Sequence, residues 1–148
     1  MKTISINASQ VVAAPLDKVW DIISDVDNDS KYYKGLNDIK NISKDGNKIE
    51  RKVTVGFLRH KARQTIILNP KKSVEIRMTN GPILGTRVTT LSQVDDDNAR
   101  IDVTWKSTPS GVPAFVHEMV KIEISNGTKE ALKKIANELE QKTGVEVL

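Results

Sequence analysis

Ala14-Pro15-Leu16-Asp17-Lys18-Val19-Trp20-Asp21-Ile22-Ile23-Ser24-Asp25-Val26 reads as a short amphipathic helix, and its place in the chain decides the fold. Pro15 stands at the first turn, where its missing N–H leaves no bond unmade. Leu16, Val19, Trp20 and Ile23 recur at helical spacing and form one apolar stripe. Ahead of this helix, residues 3–13 alternate as a strand does. Behind it, strand patterns run from about 39 to 107, and helical spacing returns only after Gly111.

Working outward, residues 39–43 and 49–57 flank Lys44-Asp45-Gly46-Asn47, a hairpin with an Asp-Gly turn. Residues 62–68 follow, and Asn69-Pro70-Lys71-Lys72 turns the chain into 74–78, which alternates cleanly. Asn80-Gly81-Pro82 turns it again into a long strand over 83–94. Asp95-Asp96-Asp97-Asn98 then closes the last hairpin onto 101–105. Short turns between seven strands predict an antiparallel meander rather than parallel crossovers. From Val112 the pattern changes, with Phe115, Val116, Met119 and Val120 giving way to Ala131, Leu132, Ile135 and Leu139. Residues 120–127 also fit a strand and a turn, but no partner strand follows, so the reading is helix. The two halves of its apolar stripe differ by roughly a third of a turn, which predicts a kink or bulge around Asn126-Gly127. The expected fold class is α+β: a curved antiparallel sheet wrapped around a long C-terminal helix, as one domain over residues 1–148.

The 148 residues are 38% hydrophobic and 28% charged, with a formal net charge of +4. No apolar run approaches the ~18 residues of a membrane span, and the alternating N-terminus lacks a signal-peptide core, so a cytoplasmic protein is expected. The absence of cysteine excludes disulfides, thiolate metal sites and a cysteine nucleophile. The basic charges are scattered, which argues against specific nucleic-acid binding as the main function. Asp25, Asp27 and Asp29 mimic the start of a calcium loop, but Ser30 and Leu36 stand where glycine and glutamate are needed. His60 and His117 lack a carboxylate at fixed spacing and make neither a metal site nor a triad. No metal, cofactor or catalytic residue is therefore assigned.

Alternation and helical phase nominate an inward apolar set: Val53, Val55, Phe57, Ile66, Val74, Ile76, Met78, Val103 and Trp105, facing Phe115, Met119 and Val120. Either these pack as an ordinary core or they line a cavity for an apolar ligand. Burying about 300 Å² of such a ligand would contribute roughly 7 kcal/mol before association costs. Arg51 falls in phase with Ile49, Val53 and Val55, and Glu123 lies on the inner stripe of the long helix. An unpaired buried charge does not persist, so each needs a partner: the other, or a ligand group.

The segment 14–25 resembles the opening of the START, polyketide-cyclase and birch-pollen-allergen superfamily (SRPBCC, the helix-grip fold), where a first strand precedes an Ala-Pro…Val-Trp helix. Gly81-Pro82-Ile83-Leu84-Gly85-Thr86-Arg87 resembles the penultimate strand of that superfamily, within which the chain looks most similar to the coenzyme Q-binding and polyketide cyclase/dehydrase branch. A bulky aromatic is common in that branch near the position of Arg87. The resemblance implies a seven-stranded sheet gripping the C-terminal helix, with a tunnel for a hydrophobic small molecule between them. It also implies that Trp20, Tyr32 and Tyr33 lie at the mouth. The function expected is binding or carriage of a lipid, quinone or polyketide-like compound. The alternatives are a cyclase or dehydratase built on Glu123 with Tyr33 or Arg51, and a ribosome- or protein-interaction module.

Overall fold

The computed structural model describes residues 3–56, 59–80, 83–109 and 113–142. β1 (Ile4–Val12), β2 (Leu36–Asp45), β3 (Lys48–Val55), β4 (His60–Asn69), β5 (Ser73–Asn80), β6 (Ile83–Asp95) and β7 (Asn98–Pro109) form one curved sheet in the order β1-β7-β6-β5-β4-β3-β2. Every neighbouring pair is antiparallel. Two helices complete the fold, α1 (Leu16–Ile23) after β1 and α2 (Ala114–Lys142) after β7. A 3-10 turn, Val26–Lys31, joins α1 to the approach to β2. This is the helix-grip architecture expected from the sequence.

Pro15 is the residue just before α1 rather than its first helical one. Its φ of −69° and ψ of 156° leave its carbonyl to accept the Lys18 and Val19 N–H at 3.0 and 3.2 Å. Val19 and Ile22 are buried beneath the helix, and Ser24 closes it by donating its hydroxyl to the Trp20 carbonyl at 2.6 Å.

The largest core cluster joins Val12, Val19, Ile22, Leu91, Ile101 and Val103 to Ala131, Leu132, Ile135 and Leu139 of α2. Each of these larger side chains, taken from water, contributes about 1.5–3 kcal/mol. The first half of α2 is held more lightly: Val120 packs with Ile4 and Ile6, supported by Val116, Ile124 and Trp105. α2 makes its extended contacts with β1, β7 and α1, so the long helix lies over one side of the sheet. A separate cluster of Val26, Ile49, Ile66, Val74 and Ile76 fills the space between α1 and β3–β5. The helix runs unbroken through Asn126-Gly127, and Thr128 there is buried and returns its hydroxyl to the Ile124 carbonyl at 2.7 Å. The predicted irregularity is thus not an interruption of the helix; side-chain back-bonding of this kind bends helices without breaking them.

Candidate functional site

Arg51 points inward, as the alternation of β3 dictates between buried Ile49 and Val53, and its side chain is 0% exposed. Its guanidinium donates from Nε to Gln64 Oε1 (2.9 Å), from Nη1 to the Val26 carbonyl (2.7 Å) and from Nη2 to Asp29 Oδ2 (3.0 Å). Asp29 hangs from the 3-10 turn and is itself buried. The same carboxylate oxygen lies 3.6 Å from Nη2 of Arg87, which β6 brings in from the other side. Burial pushes the Asp29 carboxyl up from its ordinary 3.8, and the Arg87 and Arg51 charges pull against that rise. Burial likewise lowers the Arg51 guanidinium from its ordinary range, opposed by Asp29. The Arg87 guanidinium carbon stacks 4.0 Å from the centroid of the Tyr33 ring and 5.5 Å from that of Trp105. Desolvation raises the Tyr33 phenol above its ordinary 10.0, against the pull of Arg87, so Tyr33 is a protonated hydroxyl at neutral pH.

Beyond this cluster, Glu123 reaches from α2 across to the ends of β2 and β3. A side chain at Gly35 would place its Cβ 3.9 Å from Glu123 Oε1 and 3.8 Å from the Gly56 nitrogen. Gly56, with φ of +74°, adopts the backbone region open to glycine, and its N–H donates to the Gly35 carbonyl at 2.9 Å. On the flank, Tyr32 and Lys31 both contact the Glu138 carboxylate of α2. The 3-10 turn and its following loop are thereby tied to both the sheet and the long helix.

The structure brings Tyr33, Arg51 and Trp105 together around Arg87 and Asp29, and places Val53, Val55 and Met78 beside Tyr33 in a cluster with Leu36 and Ala62. Ile66 and Ile76 are close-packed core against α1. Val120 is buried on Ile4 and Ile6. Three expectations are corrected. Phe115 and Met119 do not face the sheet: they are 71% and 47% exposed, because α2 packs on β1 through Val116, Val120 and Ile124 instead. Trp20 does not close the mouth: it packs against the Ile49–Ile66–Val74–Ile76 cluster under α1. Arg51 is paired with Asp29, not with Glu123. Phe57 lies outside the described residues. Asp29, Gln64 and Thr89 were not legible as interior polar groups, although Arg87 and Thr89 share the inward phase of Leu91 on β6.

A cavity of about 10 Å³ lies among Ile23, Asp29, Tyr33, Arg87, Thr89 and Ile135. That is room for a single water, so at this place the expected tunnel is closed. Among the described residues, no group of His, Asp and Glu side chains is arranged to hold a metal ion, and no helix is long and apolar enough to cross a membrane.

The family model described as "Polyketide cyclase / dehydrase and lipid transport" matches residues 3–140. The chain belongs to that family. No curated protein matches it. Among solved structures, the Zhui aromatase/cyclase of Streptomyces sp. R1128 is similar with a TM-score of 0.87 at 13% identity, over 96% of each chain. A START superfamily protein of Mycobacterium smegmatis superposes with a TM-score of 0.74 at 12% identity, over 93% of this chain and 97% of that one. A norcoclaurine synthase of Thalictrum gives 0.73 at 18% identity, over 96% and 97%. Identities this low speak for the shared fold alone.

Proposed function

We propose that this protein binds a hydrophobic small molecule between the inner face of β3–β7 and the first half of α2, without transforming it. The observation that carries this reading is the mixed lining of that space. Val55, Met78 and Tyr33 are half-buried against Leu36, Val53 and Ala62 and stand beside a small set of convergent, buried polar groups. Entry requires the first half of α2 to lift from the Gly35–Gly56 edge, and that half is the lightly packed one.

A cyclase needs a base that can take a proton. The cyclase alternative pairs Glu123 with Arg51 or Tyr33; Arg51 is instead bonded to Asp29, Gln64 and the Val26 carbonyl, and burial raises the Tyr33 phenol, which favours binding over that chemistry. Native mass spectrometry of the purified protein, followed by organic extraction, tests the binding reading. A copurifying apolar compound, displaced by an added quinone or fatty acid, is the expected result. A protein that carries nothing and takes up neither compound overturns it.

A further inference from the structure

Buried donors without an acceptor are rare in native proteins, and each calls for a physical account. Among the described residues, three buried side-chain atoms lack a partner: Arg87 Nε, Trp105 Nε1 and Ser107 Oγ. They are not scattered. Arg87 stands opposite Trp105 across the β6–β7 pair, and Gly85 stands opposite Ser107. Residues directly opposite one another share a face, and residues two apart along a strand share it too. All three atoms therefore belong to one patch of the inner face. Two of the three can only donate, and the serine hydroxyl can do so.

Charge points the same way. Arg51 and Arg87 both direct their ion pairs at one carboxylate, Asp29, at 3.0 and 3.6 Å. The trio carries one more positive than negative charge, with side-chain exposures of 0%, 8% and 9% for Arg51, Arg87 and Asp29. The Tyr33 and Trp105 rings on Arg87 hold its guanidinium in place while offering it no lone pair. Asp27 also acts on Arg51, more weakly than Asp29 does.

We infer that Arg87, Trp105 and Ser107 form the recognition site for an anionic oxygen, a carboxylate or an enolate, at one end of the bound molecule. This rests on the small-molecule reading above and names the ligand class: an amphiphile with an acidic head and an apolar body. The head takes the donors of β6 and β7, and the body lies toward Val55 and Met78.

Isothermal titration with two matched pairs tests it: 2-naphthoic acid and dodecanoic acid, each against its own methyl ester. The wild-type protein is expected to bind the acids at least ~10-fold more tightly than the esters, since charge-assisted bonds are the strong ones. Arg87→Gln should abolish that preference; Trp105→Phe, which removes the N–H together with part of the ring, should reduce the acid-to-ester ratio about threefold. Should Arg87→Gln fail to fold by circular dichroism, Trp105→Phe and Ser107→Ala carry the comparison. Acids and esters bound equally well, or a preference that survives these substitutions, would overturn the anion site while leaving ligand binding intact. Binding of none of the four compounds overturns both readings together.

Discussion

Arg51 Nη2 and Asp29 Oδ2 lie 3.0 Å apart in the interior and join the centre of β3 to the 3-10 turn after α1. A buried pair of this kind costs most when a single partner is removed. Because Arg87 shares the carboxylate, the two halves of the pair are not equivalent. Asp29→Asn strands two buried cations and should cost about 3–5 kcal/mol, whereas Arg51→Met leaves Asp29 with Arg87 and should cost clearly less. Urea unfolding of both variants measures the difference; equal losses would mean that Arg87 does not share the charge.

The two tyrosines of the chain give an alkaline signature. Burial first, then the hydrogen bond and charge of Glu138, push the Tyr32 phenol well above its ordinary 10.0, and burial raises Tyr33 as well. In the unfolded chain both ionise near the ordinary value. Above that pH the folded state holds protons that the unfolded state has lost, so stability falls as pH rises through it and is unaffected below it. Titration of the near-ultraviolet phenolate absorbance should show no ionisation of either residue in the ordinary tyrosine range while the protein stays folded. In Tyr32→Phe the alkaline loss of stability should be shallower.

Glycines at two positions should respond to alanine with opposite signs. At Gly85 a Cβ would stand 2.2 Å from the Lys106 carbonyl oxygen and 2.8 Å from Ser107 Cα, so Gly85→Ala must part β6 from β7. A loss above about 2 kcal/mol is expected. Gly127 is helical and a Cβ there meets nothing within 4 Å. Gly127→Ala should therefore stabilise by about 0.5–1 kcal/mol. Thermal melts of the two variants check both signs.

On α2, the burial pattern separates two apolar faces. Val120→Ala, which empties space against Ile4 and Ile6, should cost about 2 kcal/mol. Phe115→Ser, at a residue 71% exposed, should change stability by no more than about 0.5 kcal/mol. A large loss at Phe115 would show that this face is covered in solution.

The periodicities that define the strands and helices are local, and they carried the fold: the Asp45-Gly46 hairpin, the Asn69–Lys72 turn and the Pro15 helix all occupy their expected places. Arg51 was legible as an interior residue because β3 keeps strict alternation around it. Its partner was not, since Asp29 lies 22 positions away in a run of acidic loop residues that carries no inward phase. The misplacement of Phe115 and Met119 has a related cause. The helical stripe shows that α2 has apolar faces, but which of them meets protein depends on the helix settling over β1 rather than the middle of the sheet. That choice is made by tertiary packing, beyond the reach of a periodicity.

The uneven seating of α2 makes it a lever with a fixed tail. Ala131, Leu132, Ile135 and Leu139 clamp its far end to α1, β1 and β7, while upstream Val120 is the one fully sunk apolar side chain among the described residues. Gly127, which carries no side chain, lies between these two differently seated halves. On the binding reading proposed above, stiffening the helix there would slow uptake and release alike, so a more heat-resistant variant at this position would exchange its ligand more slowly.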